Sequence, residues 1–461
     1  MIDVDGHQLE YLPLMDRYVR EEMSAPLFER WRRRQIERPS PLSVRRSTRQ
    51  ARSGWWTGAE ASAIEDRAAA MLPGLLRARL DEIGLDFMVI YTSAGLNAMN
   101  EPDEELRIPF CRALNRFSAD IFEAHADRVR PAAVIPMYSP EEALDAMRHA
   151  AGLGLRVAHF PAGVPRLLAL RAEYAPPTLP AGYWLDTFGL DSLSDYDPVW
   201  RELEATGMPA TFHGHSSQAA TMKASRSISS YVFNHVGAHA ALMHEVCKSL
   251  ILGGVLNRFP NLRFGFLEGG PRWAVSLFHE LAEHWRRRNC VAIDAYDPER
   301  LDVARMGEIV RRHGADILKR SGDEVYVWAN RREAQWLDAL AEGDQRDEFA
   351  AAGFASEEDI DATFARIYFG CEADDRTTSW CYRPQSCLPQ DMNPMASSDF
   401  GHWDVGNATG LAERSVSLLQ SATLSACQFR RFSSDNAIRM HGKEFWCGTN
   451  VEDYARAQVF S

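Results

Sequence analysis

With 461 residues, 46% of them hydrophobic and 25% charged, the chain can bury a large core and is long enough for one elaborated domain or two smaller ones. A formal net charge of -13 argues against binding a phosphate backbone as its main task, so no nucleic-acid partner is expected. No run approaches the roughly 18 apolar residues of a membrane helix, and the opening residues lack the basic region and apolar run of a secretory signal. The eight cysteines are scattered without a Cys-x-x-Cys pair, which suits reduced thiols in a cytoplasmic protein.

Residues 1–7, Met-Ile-Asp-Val-Asp-Gly-His, read as a short buried strand that ends in two metal-ligand types. Side chains alternate along a strand, so Asp3, Asp5 and His7 share a face. Gly6 leaves room for backbone or substrate to come close. Residues 16–59, Arg-rich and then polar with prolines, read as an N-terminal excursion. Its Trp55 and Trp56 suit a pocket wall, a subunit contact or packing back onto the body.

From residue 61 short apolar runs alternate with helical patterns. Strands are expected at 87–91, 132–136, 155–159, 209–213 and 262–268, each followed by a helix. The rhythm breaks over 289–365, a polar helical stretch read as an insertion that caps the body or makes a homo-oligomer contact. Strands resume at 367–371 and 394–399, and a mostly helical tail follows. Eight short strands alternating with helices argue a parallel sheet, and this many units argue a closed (β/α)8 barrel in the α/β class. There is no Gly-x-Gly-x-x-Gly and no Gly-Lys-Ser/Thr nucleotide loop.

Several expected strands end in a ligand-type residue: Asp5 and His7 on the first, His159 on the fourth, His213 on the fifth, Glu268 on the sixth, Cys371-Glu372 on the seventh and Asp399 on the eighth. Active sites of such barrels sit at that end. One such carboxylate means little; a mixed run of acids and histidines is hard to obtain by accident.

These motifs resemble the amidohydrolase superfamily, in the branch of aminocarboxymuconate semialdehyde decarboxylase. The carrying residues are Asp3-x-Asp5-Gly-His7, Phe212-His-Gly-His215, Arg258-Phe-Pro-Asn-Leu-Arg263 leading into Leu267-Glu-Gly-Gly, and Ser397-Ser-Asp-Phe-Gly-His402. The resemblance implies a distorted (β/α)8 TIM barrel with metal at the strand ends. It implies Asp5 and His7 as the first-strand ligand pair, His213 as the strand-five ligand and Asp399 as the strand-eight aspartate. Two departures matter: Asp5 stands where a histidine is often found, and Glu268 stands where the branch commonly has its catalytic histidine. A lysine-bridged metal pair is not expected, since strand four ends in His159.

Hard oxygen donors shift preference from zinc towards iron or manganese, and enough carboxylates can bridge two metals. The set is similar to nonheme diiron monooxygenases built on this barrel, of the type known from platensimycin biosynthesis. That implies hydroxylation of a bulky terpenoid acyl-CoA with O2 by two irons and an external reductase. Asp5, His7, His213, Glu268, Asp399 and His235 would then be ligands. The alternative is a hydrolase or decarboxylase of a small carboxylic acid with one zinc or manganese, in which Asp399 passes the proton and Glu268 serves as acid–base.

His235 and His239 stand four residues apart, one helical turn. Either supplies a ligand, or His239 simply packs. His215, His239, Trp273, His402 and Trp403 are the expected substrate-pocket residues, with packing or a supporting contact as the alternative for each.

Overall fold

The computed structural model describes residues 1–37, 61–167, 182–215, 227, 230–296, 300–322, 325, 348–383, 387–402, 405 and 407–460. Trp55, Trp56 and Trp403 therefore lie outside the described residues.

β1 (Ile2–Gln8), β2 (Phe87–Thr92) and β3 (Val129–Pro131) pair in parallel. β4 (Ala133–Val134) takes up where β3 stops and pairs with β5 (Ala158–Pro161). Between β3 and β4 the ladder changes partner: Ala132 N–H donates to Ile90 O at 2.9 Å, and Ala133 N–H to Val157 O at 2.8 Å. Pro131 has no N–H to give, which suits the break at this place. A small antiparallel hairpin, β6 (Val164–Leu167) with β7 (Tyr183–Asp186), stands outside the ladder. The parallel run continues through β8 (Ala210–His213), β9 (Phe264–Phe266), β10 (Ile367–Cys371) and β11 (Asn393–Ala396).

Counting β3 and β4 as one broken strand gives the eight strands of a (β/α)8 barrel, and helices follow them in sequence. The ladder is not continuous from β11 back to β1. Beyond the strand ends the gap is bridged by Asp399 N–H to Asp5 O at 2.9 Å and His7 N–H to Phe400 O at 2.5 Å. This is the distortion of the barrel.

Besides the third strand, which is split into β3 and β4 instead of running over 132–136, three strands differ from expectation in ways that bear on the site. The fourth runs over Ala158–Pro161 rather than 155–159, so His159 is inside it and not at its end. The sixth stops at Phe266 and the eighth at Ala396. The cause is visible beyond each: Glu268 and Asp399 have φ of 59° and 53°, left-handed backbone that no strand accommodates.

One cluster of buried apolar residues joins Ile2, Val4, Phe87 and Val89 to Ile438, Met440, Phe445 and Trp446 of the tail. The tail is thus part of the core. Trp446 is buried and its indole N–H donates to Ile438 O at 3.1 Å, which satisfies the one polar atom it carries inward.

The expected excursion begins as two helices, Leu12–Glu22 and Ala25–Glu37; the rest of it lies outside the described residues. The chain divides into two compact units, Met1–Leu277 with Asp361–Ser461, and Phe278–Ile360. Within the second unit helices run over Cys290–Ile293, Val303–His313, Ala315–Arg320 and Glu348–Ala351. Among the described residues no helix is long and apolar enough to cross a membrane.

Candidate metal centre

The register of β1 slips between Asp3 and Gly6: Asp3 lies opposite Met88, but Gly6 lies opposite Ile90. The extra residue is a bulge, a device that re-aims side chains. A Cβ on Gly6 would lie 2.4 Å from Met88 Sδ, so any larger residue there must displace the Met88 side chain. Asp5 and His7 both reach the donor cluster, as their shared face suggests. Asp3 does not join them; it turns to Ser398, whose N–H it accepts at 2.9 Å.

His7 is fully buried, and neither of its ring nitrogens makes a hydrogen bond among the described residues. Its Nε2 nonetheless stands 3.3 Å from Asp5 Oδ1, 3.3 Å from Asp399 Oδ1 and 3.6 Å from Glu268 Oε1. A buried imidazole ringed by carboxylates without hydrogen bonds is costly unless a cation joins them. Donors around an ion with bonds of about 2.1 Å are spaced about 3.0–3.4 Å apart, and the two 3.3 Å spacings match. The residues therefore fit a divalent metal.

Two donor groups emerge, His7, Glu268, Asp399 and His402, and Asp5, His7 and His213. They share His7. One imidazole nitrogen has one lone pair, so His7 Nε2 cannot serve two ions at once. The two groups meet at His7.

β8 supplies His213, whose Nε2 lies 2.6 Å from Asp5 Oδ1. Ser397 Oγ donates to the other Asp5 oxygen at 2.8 Å. Burial works to raise the Asp5 carboxyl, but the neighbouring His213 and His7 hold it well below the usual carboxylate range. Burial works to lower His213, and Asp5 overcomes it, so His213 is raised. His7 is lowered, by burial first and then by the nearby His402. Glu268 is lowered despite its burial because His239, His213 and His7 face it.

His402 was expected at the pocket wall or in support. It lies closer: its ring stacks on His7 at 3.7 Å between centroids, and its Nδ1 is 2.5 Å from Asp399 Oδ1. Gly401 makes this approach possible, with φ of 93° and a notional Cβ only 1.9 Å from His7 O. His239 Nδ1 lies 2.8 Å from Glu268 Oε2. His235 belongs to neither donor group; its ring stands 5.5 Å from that of His239. His215 is half-buried beyond the end of β8 and also belongs to neither. Trp273 is buried with its ring against Phe266 and Phe369, at 5.7 and 5.4 Å between centroids. Its ring is thus packed against core aromatics of β9 and β10.

Sequence reasoning undervalued His159. It is fully buried, both ring nitrogens lack a hydrogen bond among the described residues, and its ring lies 4.7 Å from that of His213. Burial, with the charges of His213 and His7, pushes its imidazole well below the ordinary value, so it is neutral.

A family model described as amidohydrolase matches residues 39–316, more than half of the chain. Among curated proteins none matches. Solved structures do. An amidohydrolase of Mycobacterium avium subsp. paratuberculosis is 15% identical, over 82% of this chain and 76% of that one, with a TM-score of 0.49. The 5-carboxyvanillate decarboxylase of Sphingomonas paucimobilis is 13% identical, over 96% and 98%, with a TM-score of 0.49. The dihydroxybenzoic acid decarboxylase of a Polaromonas species, with bound manganese and 2-nitroresorcinol, is 14% identical, over 95% and 96%, with a TM-score of 0.47. At such identities these are likenesses of fold.

The expectation of hydroxylation by two irons is corrected by these findings. The similar structures with named reactions are decarboxylases of aromatic acids, two of them holding manganese. The physical reason lies in His7: the carboxylates that suggested a metal pair converge on a single imidazole nitrogen. The external reductase was required only by that reading and falls with it.

Proposed function

The chain belongs to the amidohydrolase family, and from that premise we propose that it hydrolyses or decarboxylates a small carboxylic acid with one divalent metal. The observation that carries this reading is the pair of donor groups that meet at the buried His7, with Asp5 and His213 in one and Asp399 in the other. In this reading those four side chains hold the ion. Two carboxylates beside two imidazoles suit manganese or zinc. A bound divalent ion polarises a carboxylate or carbonyl oxygen and lowers the pKa of a bound water.

The chain's own groups do the rest. Glu268 is the acid–base. Its Oε1 lies 3.6 Å from His7 Nε2 and so borders the centre, while Oε2 meets His239, which is about one-third exposed. That pair gives a proton a way between the buried carboxylate and solvent. His402 lies beside Asp399 and stacks on His7, which fixes the plane of that ligand.

The test is metal per chain by elemental analysis, for wild type and Glu268→Gln from manganese-supplemented cultures, with CO2 release from a panel of aromatic acids and hydrolysis of their amides as assays. One ion in both proteins is expected, with the variant slower by about 10²–10⁴. Two ions per chain, or none in the wild type, would overturn the reading.

A further inference from the structure

Asp3 lies outside the donor cluster, yet it is fully buried and its carboxylate is engaged three times over. Oδ1 accepts Asp5 N–H at 3.1 Å and Ser398 N–H at 2.9 Å, and Oδ2 accepts the Ser398 hydroxyl. The Ser398 oxygen in turn accepts Phe400 N–H at 3.0 Å. These bonds fall where the barrel ladder is interrupted between β11 and β1.

The two residues held by Asp3 are the neighbours of ligands. Asp5 carries its own donor. Ser398 precedes Asp399, whose backbone is left-handed at φ 53°. A non-glycine residue there is strained and stays only where surrounding bonds determine it. Asp399 itself is tied to β1 by its N–H on Asp5 O. Asp3 thus fastens both edges of the seam from beneath, the edge that bears Asp5 and His7 and the edge that bears Asp399.

We propose that Asp3 is a positioning residue for the metal centre: through Ser398 it sets the distance and angle between the first-strand ligands and Asp399. This rests on the one-metal reading above. Asp3 makes no contact with the ion's donors other than the Asp5 backbone, so its effect appears in the coordination geometry and not in the number of ligands.

The probe is Co2+, whose visible absorption reports coordination geometry, added to metal-free full-length protein. Wild type, Asp3→Ala, Asp3→Asn and Ser398→Ala are compared by Co2+ titration, by the bound spectrum and by thermal melting in the metal-free state. Asp3→Ala is expected to bind Co2+ at least tenfold more weakly with a shifted spectrum. Asp3→Asn, which keeps the Oδ1 acceptor, is expected to recover most of the affinity. A purely structural role would lower the metal-free melting temperature and leave the bound spectrum unchanged. If Asp3→Ala does not fold, Ser398→Ala decides by the same two readings, because it removes only the hydroxyl bond. Wild-type affinity and an unshifted spectrum in the folded variants overturn the proposal alone; a wild type that binds no Co2+ overturns the metal reading beneath it.

Discussion

Gly401 offers the sharpest test of how the centre is built. Two costs meet in Gly401→Ala. The residue sits at φ 93°, where an L side chain is strained by about 1–2 kcal/mol. Its Cβ would also stand 1.9 Å from the carbonyl oxygen of His7, and a backbone atom cannot swing aside as a side chain can. Relieving such overlap costs about 1–3 kcal/mol more, so a total of about 2–5 kcal/mol is expected. Gly154→Ala isolates the first cost, since Gly154 has φ of 81° and nothing within 4 Å of its notional Cβ. Melting curves of the two variants beside wild type give the difference. Because the movement must displace His7, manganese affinity should fall in Gly401→Ala and stay unchanged in Gly154→Ala. If Gly401→Ala is no less stable than Gly154→Ala and binds manganese as wild type does, the close packing of Gly401 on the His7 backbone is wrong.

Asp5→Ala, His7→Ala and His213→Ala should each lose bound metal with secondary structure kept, as read by elemental analysis and circular dichroism; full metal in all three would refute the ligand assignment. Arg107 is buried, bonds Glu142 at 2.6 and 2.8 Å, and lies 3.6 Å over the Tyr138 ring. Arg107→Ala leaves that carboxylate buried alone and should cost about 3–5 kcal/mol, whereas a loss under about 1 kcal/mol in denaturant unfolding would mean the pair is idle. Burial pushes the Glu10 carboxyl up to about 7, against the Ala94 N–H that lowers it. The folded chain then keeps a proton that the unfolded chain has lost, so this group's contribution to stability falls as pH rises from about 4.5 to about 7. Glu10→Gln should remove that part of the slope, and identical pH profiles of melting temperature for variant and wild type would contradict it.

Much of the barrel was legible because its strands are continuous apolar runs. Residues 367–371 form β10 residue for residue, since Ile-Tyr-Phe-Gly-Cys is bounded by polar neighbours and buried throughout. The third strand was misjudged because a propensity reading does not show Pro131 handing the ladder from one partner to another. Glu268 and Asp399 were placed on strands because their φ angles leave no mark in sequence. The candidate donors on β1, β8 and the loop after β11 stand out by residue type and position, and the fold brings Asp5 and His213, and Asp399, each near His7. Their mutual distances could not be read from sequence, since the meeting of several carboxylates at one His7 nitrogen is set by the tertiary fold. His402 was visible as a residue three after Asp399, but its stacking on His7 needs the turn at Gly401. His239 meets Glu268 only through the tertiary fold.

The seam between β11 and β1 also bears on the order of events during synthesis. Ser397 and Asp5, which touch across it, are 392 residues apart in the chain. At the usual pace of about 5–20 residues per second, the first strand leaves the ribosome on the order of 20–80 seconds before its last partner. A nascent fragment that stops before β11 lacks Asp399 and so lacks one of the proposed ligands. On the one-metal reading, metal selection waits until β11 and the loop after it have left the ribosome.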